Sequence, residues 1–249
     1  VTMPWASNKP DTSVGDRTFG PYDPATPSIY ASNYVSTTKY NLITFIPKNL
    51  FEQFRRVANL YFLIMAILAS IKTISPINPA TSWMPLCIVL GISALREAAE
   101  DYRRYKSDVE INARPTQVFR PDEHGTRAFI PTKWADIKVG DIVKAESNEF
   151  LASDMVLLSS SDDVGGAFVE TANLDGETNL KARQSLKATT YLNDSNLADF
   201  KCELTCEEPS KDIFRFRGKL IISGETHALS LDNLLMRGCK LKNTKWALG

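Results

Sequence analysis

Two apolar runs, residues 57–71 and 83–95, stand on either side of a short connection carrying Pro76 and Pro79, and no other feature restricts the fold as much. The first run is about fifteen residues long, short of the ~20 that a bilayer core asks for. On length alone a buried core helix and a membrane span both fit it. Asn49 is placed to cap a helix with Glu52 at its third position, close to a capping box. With Leu50, Phe51 and Phe54 added, and with the long stems of Arg55 and Arg56 reaching for the surface, a helix over residues 49–72 spans a bilayer. The second run sits in a periodic stretch that continues through Tyr102 and Tyr105, so residues 83–113 read as one helix, stopped by Arg114-Pro115. About thirty residues of helix reach about 45 Å, enough to cross and to hold a further domain off the surface. Between the runs the one positive charge is Lys72, whereas Arg55, Arg56, Arg96, Arg103, Arg104 and Lys106 flank the far ends. The cytosolic bias of basic residues then puts both ends of the hairpin in the cytosol and residues 73–82 outside. The chain reads as an integral membrane protein.

A formal net charge of +0 argues against nucleic acid as the main partner. The mean hydropathy of −0.19 averages the two runs with a long polar remainder. Residues 1–28 hold Pro4, Pro10, Pro21, Pro24 and Pro27 without the apolar stretch of a signal peptide, and read as a flexible cytosolic arm. From residue 30 to 45 the β-branched and aromatic content rises, which predicts a strand. Beyond residue 114, alternation and turn residues predict strands at 116–120, 141–145, 155–160, 167–172, 200–206 and 214–222, a compact β domain. In the fifth of these, Phe200, Cys202, Leu204 and Cys206 alternate with Lys201, Glu203, Thr205 and Glu207, one buried face and one wet. Cys202 and Cys206 then lie ~13 Å apart, too far to bridge or to share a metal. With Cys87 and Cys239 they read as reduced thiols. His124 and His227 have no paired ligand spacing, so no metal site is expected. Gly165-Gly166 reads as a flexible turn, and neither a Walker loop nor a Rossmann fingerprint occurs.

Chemistry concentrates in Asp175-Gly176-Glu177-Thr178-Asn179-Leu180-Lys181. The chain enters through Ala167-Phe168-Val169 and leaves through Leu180, Ala182 and Leu186. Asp-Gly signals a turn because glycine takes positive φ without steric cost. Taken alone, the stretch reads as a solvated hairpin tip.

In context it resembles the DGETNLK signature in the actuator domain of the type-IV P-type ATPases, the phospholipid flippases. The run Pro47-Lys48-Asn49-Leu50-Phe51-Glu52-Gln53-Phe54-Arg55-Arg56-Val57-Ala58-Asn59-Leu60-Tyr61-Phe62 is similar to that family's entry into its first membrane helix. Glu97-Ala98-Ala99-Glu100-Asp101-Tyr102-Arg103-Arg104-Tyr105-Lys106-Ser107-Asp108 is similar to the exit from its second. Val139-Gly140-Asp141-Ile142-Val143 with Ala152-Ser153-Asp154 resembles a pairing seen across P-type pumps, which more usually have proline, alanine and aspartate in the second part. The likeness runs from about Tyr34 to the last residue. It implies an α+β membrane protein fragment: a two-helix transmembrane hairpin plus a β-rich actuator domain of distorted jelly-roll type. Residues 29–48 would supply the first part of that domain and residues 114–249 the rest. It further implies the N-terminal part of an ATP-driven flippase moving phospholipid from the exoplasmic to the cytoplasmic leaflet, in the plasma membrane or a Golgi or endosomal membrane. Mg2+ and ATP belong to domains outside these residues, and a two-span accessory beta subunit is a common partner. The aspartate-lysine-threonine-glycine-threonine motif that carries the phosphorylated aspartate of such pumps does not occur here. This chain alone is expected not to hydrolyse ATP.

Residue by residue, the likeness gives Glu177 the task of orienting a water toward an aspartyl phosphate and accepting its proton. Gly176 lets the backbone approach the phosphoryl group, and Thr178 donates to phosphoryl oxygens or holds the turn. Asp175, where ion pumps commonly have threonine, supports the loop. Asn179 and Lys181 suit a docking surface, and surface salt bridges explain Lys181 equally well. In the first helix, Asn59 is either satisfied by a neighbouring helix or lines a groove for a polar headgroup. Ala69-Ser70 stands where several flippases carry two glutamines, which leaves the lipid class open. Two other readings stand beside this one: a cation-transporting P-type ATPase, and a membrane-anchored β module without catalysis.

Overall fold

The computed structural model describes residues 17–21, 30–71, 75–76, 78–121, 126–210 and 212–249. The described residues form two units, one of residues 36–110 and one in which residues up to 35 join residues 111–249. The segment 29–48, expected to belong with the β domain, is therefore divided at residue 35. Residues 1–16 and 22–28 of the arm, residue 29, residue 72 of the expected first helix, residues 73–74 and 77 of the connection, and His124 lie outside the described residues.

The first unit holds α1 (Phe45–Phe54), α2 (Val57–Ser70) and most of α3 (Pro79–Ala113). α2 is inverted relative to a helix that packs in water. It buries Asn59, Ala66 and Ala69, and turns Leu60, Tyr61, Phe62, Ile64, Met65, Ile67 and Leu68 outward. A patch of that kind marks a surface that meets another protein, a ligand or a membrane. α3 is long and apolar enough to cross a membrane, with only 6% of its most apolar stretch buried. Its 35 residues reach about 52 Å. α2, with 14 residues, reaches about 21 Å, less than a ~30 Å hydrocarbon core.

The single helix expected over residues 49–72 is two helices. α1 begins at Phe45 behind Thr44, and Asn49, expected as its cap, is buried one turn further on, where its Oδ1 accepts Gln53 Nε2 at 2.5 Å. The break falls at Arg55 and Arg56, the latter extended at φ −77°, ψ 119°. Asn59 donates its amide to the Gln53 carbonyl at 2.9 Å, across the break, and Gln53 donates to the Leu90 carbonyl of α3 at 3.3 Å. At the break the Gln53 carbonyl thus accepts both the Arg56 N–H, at 3.2 Å, and the buried Asn59 amide.

The strand expected from residue 30 to 45 does not form either. In this unit Asp108 of α3 accepts the Thr37 N–H at 2.6 Å and the Thr37 hydroxyl at 2.7 Å. Asp101, about two turns earlier, accepts the N–H groups of Lys39 at 2.7 Å and Tyr40 at 3.3 Å. Lys39 Nζ reaches Glu97 at 3.0 Å, and the Tyr40 hydroxyl donates to Glu52 of α1 at 3.0 Å. Burial, reinforced by that bond, pushes the Tyr40 hydroxyl up to about 12. Helix carboxylates take the donors that a partner strand would have taken, and the segment stays extended and unpaired by any strand. α3 starts at Pro79, ahead of the expected residue 83, because proline suits a first helical turn.

The second unit is built from β1 (Arg17–Phe19), β2 (Pro115–Pro121), β3 (Arg127–Lys133), β4 (Ile142–Glu146), β5 (Met155–Val156), β6 (Ser159–Ser160), β7 (Gly166–Glu170), the short α4 (Ala172–Asp175), β8 (Leu180–Gln184), β9 (Glu203–Cys206), β10 (Gly218–Ile222), β11 (Glu225–Leu229), β12 (Leu234–Leu235), β13 (Lys240–Lys242) and β14 (Trp246–Leu248). They make four sheets of antiparallel pairs, ordered β3-β2-β4-β14-β6, β13-β7-β8, β12-β5 and β1-β9-β10-β11. The five-stranded sheet is buried on both faces. Val118, Val143 and Ala247 enter one core with Leu151, Val169 and Leu241, while Phe119, Ile142 and Leu248 enter a second with Leu197, Phe200 and Leu220. Side chains alternate across a strand, so neighbours in sequence serve opposite cores.

Several strand expectations are corrected by pairing. Residues 17–19, assigned to the arm, form β1 against β9, with Thr18 opposite Thr205 and their hydroxyls 3.2 Å apart. Thr205 is buried for that reason, although alternation put it on the wet face. The run 155–160 splits into β5 and β6, which join different sheets, and 167–172 ends at Glu170, where α4 takes over. Of the residues 200–206 only 203–206 pair as a strand, and 214–222 narrows to β10. Gly165 is no mere flexible link: at φ +77° a Cβ there would stand 2.1 Å from Ser185 Oγ and 2.4 Å from Thr190 Cγ2. None of the four cysteines is in a disulfide, and burial lifts Cys202 to about 12 and Cys239 to about 11.

Candidate active site

β7 delivers the loop and β8 carries it away. Ala167 and Val169 of β7 face the core, and the register sets Val169 opposite Lys181 and Glu170 opposite Leu180. Directly after β7 comes Thr171, 0% exposed. Its carbonyl accepts the N–H of Leu174 at 2.8 Å and of Asp175 at 3.2 Å, which closes α4, and the Ala172 carbonyl accepts Gly176 N–H at 3.1 Å. Gly176 then turns left-handed at φ 78°, ψ 0°, a conformation that costs a side chain strain.

Asp175 is the hub of the loop. Its carboxylate, 10% exposed, lies 2.9 and 3.0 Å from the Thr171 hydroxyl, accepts the Glu177 N–H at 3.0 Å and pairs with Lys181 Nζ. The Lys181 ammonium first, and the Glu177 N–H next, hold this carboxyl down at about 2; Asp175 in turn raises Lys181 above its ordinary value. Glu177 stands differently. Its carboxylate is 60% exposed and meets Lys181 Nζ at 3.2 Å. Thr178 and Asn179 are exposed beside it. A Cβ on Gly176 would meet nothing within 4 Å, so the space over the loop is open. The arrangement offers one inward carboxylate, committed to holding the turn, and one outward carboxylate available to a reactant.

Sequence reasoning did not single out Thr171. Its signal is the spacing Thr-x-x-x-Asp, one helical turn, which brings a hydroxyl and a carboxylate together. The residues considered for a lipid path fall elsewhere. Asn59 spends its amide on the helix break, Ala69 is buried, and the Ser70 hydroxyl donates to the Ala66 carbonyl at 2.8 Å and accepts Trp83 Nε1 at 2.9 Å.

Comparison with known proteins gives one consistent likeness. Residues 18–83 match the family described as phospholipid-translocating ATPase N-terminal. The chain is 48% identical over 224 residues to the probable phospholipid-transporting ATPase 5 of Arabidopsis thaliana, covering 90% of this chain and 18% of that protein. It is 46% identical over 221 residues to the phospholipid-transporting ATPase ID of Homo sapiens, 88% of this chain and 18% of that one. Against the phospholipid-transporting ATPase IC of Xenopus tropicalis it is 45% identical over 224 residues, with 89% and 18% covered. The chain thus spans about a fifth of the length of the curated relatives it matches.

Proposed function

On the footing that this chain belongs to the type-IV P-type ATPase family, we propose that it is the N-terminal part of an ATP-driven phospholipid flippase, with Glu177 promoting hydrolysis of an aspartyl phosphate carried elsewhere in the same protein. A water oxygen bonds to phosphorus as the bond from phosphorus to the aspartyl oxygen breaks. The electron pair of that bond stays on the aspartyl carboxylate, and Glu177 takes the water's proton, leaving inorganic phosphate. The observation that carries this reading is the contrast between the two loop carboxylates: Asp175 is engaged from three directions, while Glu177 stands outward beside the open space over Gly176.

In this reading the β-rich unit is an actuator domain of jelly-roll type, and ATP and Mg2+ are bound by domains outside these residues. α2 and α3 form a hairpin with both ends cytosolic, phospholipid moves from the exoplasmic to the cytoplasmic leaflet, and a two-span accessory subunit is a fitting partner. The outward apolar faces of α2 and α3 support the membrane part of this assignment. Asn59 serves the bend between α1 and α2, Ser70 meets Trp83 of α3, and Ala69 is buried beside it. The test is Glu177→Gln in the full-length protein, with phosphoenzyme followed after a chase with unlabelled ATP. Phosphorylation should persist and its decay should slow. Decay at the wild-type rate with transport intact would remove Glu177 from the chemistry.

A further inference from the structure

We propose that Lys181 is a positioning residue for Glu177: its ammonium, anchored on β8 by Asp175, holds the Glu177 carboxylate at the place where the attacking water must be met. This rests on the reading of Glu177 as the base. The loop tip itself offers Glu177 little else. With its carboxylate 60% exposed, the side chain meets one cation among the described residues, Lys181 Nζ, at 3.2 Å. The pairing has the spacing of four residues that a helix would provide, yet no helix runs through residues 177–181. It arises because the left-handed turn at Gly176 brings the tip back toward the strand.

Lys181 is well placed to act as an anchor. It lies on a paired strand opposite Val169, its side chain is 27% exposed, and it contacts both carboxylates of the loop. Through Asp175 it also governs the main chain, since Asp175 accepts the Glu177 N–H at 3.0 Å and is backed by the buried Thr171 hydroxyl. One ammonium therefore fixes the Glu177 backbone indirectly and its carboxylate directly. An isolated surface salt bridge contributes little to stability. Orientation of a reacting group is a different quantity, and loss of it slows reactions severalfold to a hundredfold without unfolding anything.

The test uses the full-length protein and phosphoenzyme decay after a chase, in wild type, Lys181→Gln, Lys181→Arg, Glu177→Gln and the double variant Lys181→Gln with Glu177→Gln. Lys181→Gln should form phosphoenzyme normally and slow its decay about tenfold. Lys181→Arg, which keeps the charge, should recover most of the rate. The double variant should decay no more slowly than Glu177→Gln alone, because a residue that acts through another adds nothing once the other is gone. A further slowing in the double variant, or wild-type decay in Lys181→Gln, overturns the proposal. Should Lys181→Gln fail to phosphorylate, Lys181→Arg carries the same cycle: a rate loss that survives in the Glu177→Gln background counts against positioning. Wild-type decay in Glu177→Gln instead sinks the assignment of the base, whatever Lys181 does.

Discussion

Substituting alanine for Gly176 and for Gly165 should give opposite phenotypes, although both residues sit at nearly the same φ. At Gly176, φ is +78° and a Cβ meets nothing within 4 Å. The loss is then backbone strain alone, about 1–2 kcal/mol. At Gly165, φ is +77° and the same Cβ meets Ser185 Oγ at 2.1 Å and Thr190 Cγ2 at 2.4 Å. Overpacking adds about 1–3 kcal/mol to a similar strain, so Gly165→Ala should lose roughly twice as much stability or more. Function should rank the other way. The methyl of Gly176→Ala projects into the open space over the loop, where the proposed mechanism brings a phosphoryl group within reach of Glu177. A displacement of about 1 Å at a reacting centre can cost about a hundredfold in rate. Thermal unfolding of each full-length variant in detergent, paired with phosphoenzyme decay, separates the two. Gly176→Ala should unfold somewhat below wild type and decay very slowly, and Gly165→Ala should unfold earlier still and, at low temperature, decay nearly normally. Equal losses of stability would show that the Gly176 side of the loop is packed, and normal decay in Gly176→Ala would show that no phosphoryl group approaches there.

Two further outcomes follow from the hydrogen bonds. Asp175, held down at about 2 against an ordinary value near 4 in an unfolded chain, favours the folded loop fully above pH ~4 and loses that contribution as pH falls toward 2. Acid unfolding of Asp175→Asn should therefore show a shallower pH dependence across this interval than wild type, and an unchanged slope would contradict the pairing with Lys181. Asp108→Ala removes the acceptor of the Thr37 N–H and hydroxyl. Bonds to a charged acceptor are worth about 1.5–3 kcal/mol, so the Thr37 amide should exchange hydrogen at least about tenfold faster, read by mass spectrometry on peptides covering residues 36–40; unchanged exchange would refute the contact.

The parts of this molecule that could be read from sequence are those that local sterics decide. Arg114-Pro115 stops α3 because the residue before a proline resists helix, and Asp175-Gly176 turns because only glycine takes that φ cheaply. What escaped depends on distant partners. β1 exists because β9 offers Thr205, 187 residues from Thr18. The segment 36–40 has a strand's composition but meets carboxylates of α3 before any strand. The break at Arg55 and Arg56 depends on Asn59 and on a carbonyl of α3, neither of which hydropathy registers. At the site, the family likeness already set Asp175 to support the loop and Glu177 to the chemistry, whereas their surroundings depend on the fold: the Thr171 hydroxyl behind one, open space before the other.

The attachment of residues 37–40 to α3 has an evolutionary corollary. Three main-chain N–H groups are gripped by two side chains, Asp101 and Asp108. A peptide N–H is the same whichever residue carries it, so this grip reads almost no letters on one side and two indispensable ones on the other. Lys39 is free to drift toward nearly any residue at small loss, whereas Thr37 adds a hydroxyl bond to Asp108 that serine alone would keep in kind. Proline alone is forbidden at 37, 39 and 40, because it has no hydrogen to offer. In relatives that keep the grip, variation should gather on the extended segment and spare the two acids.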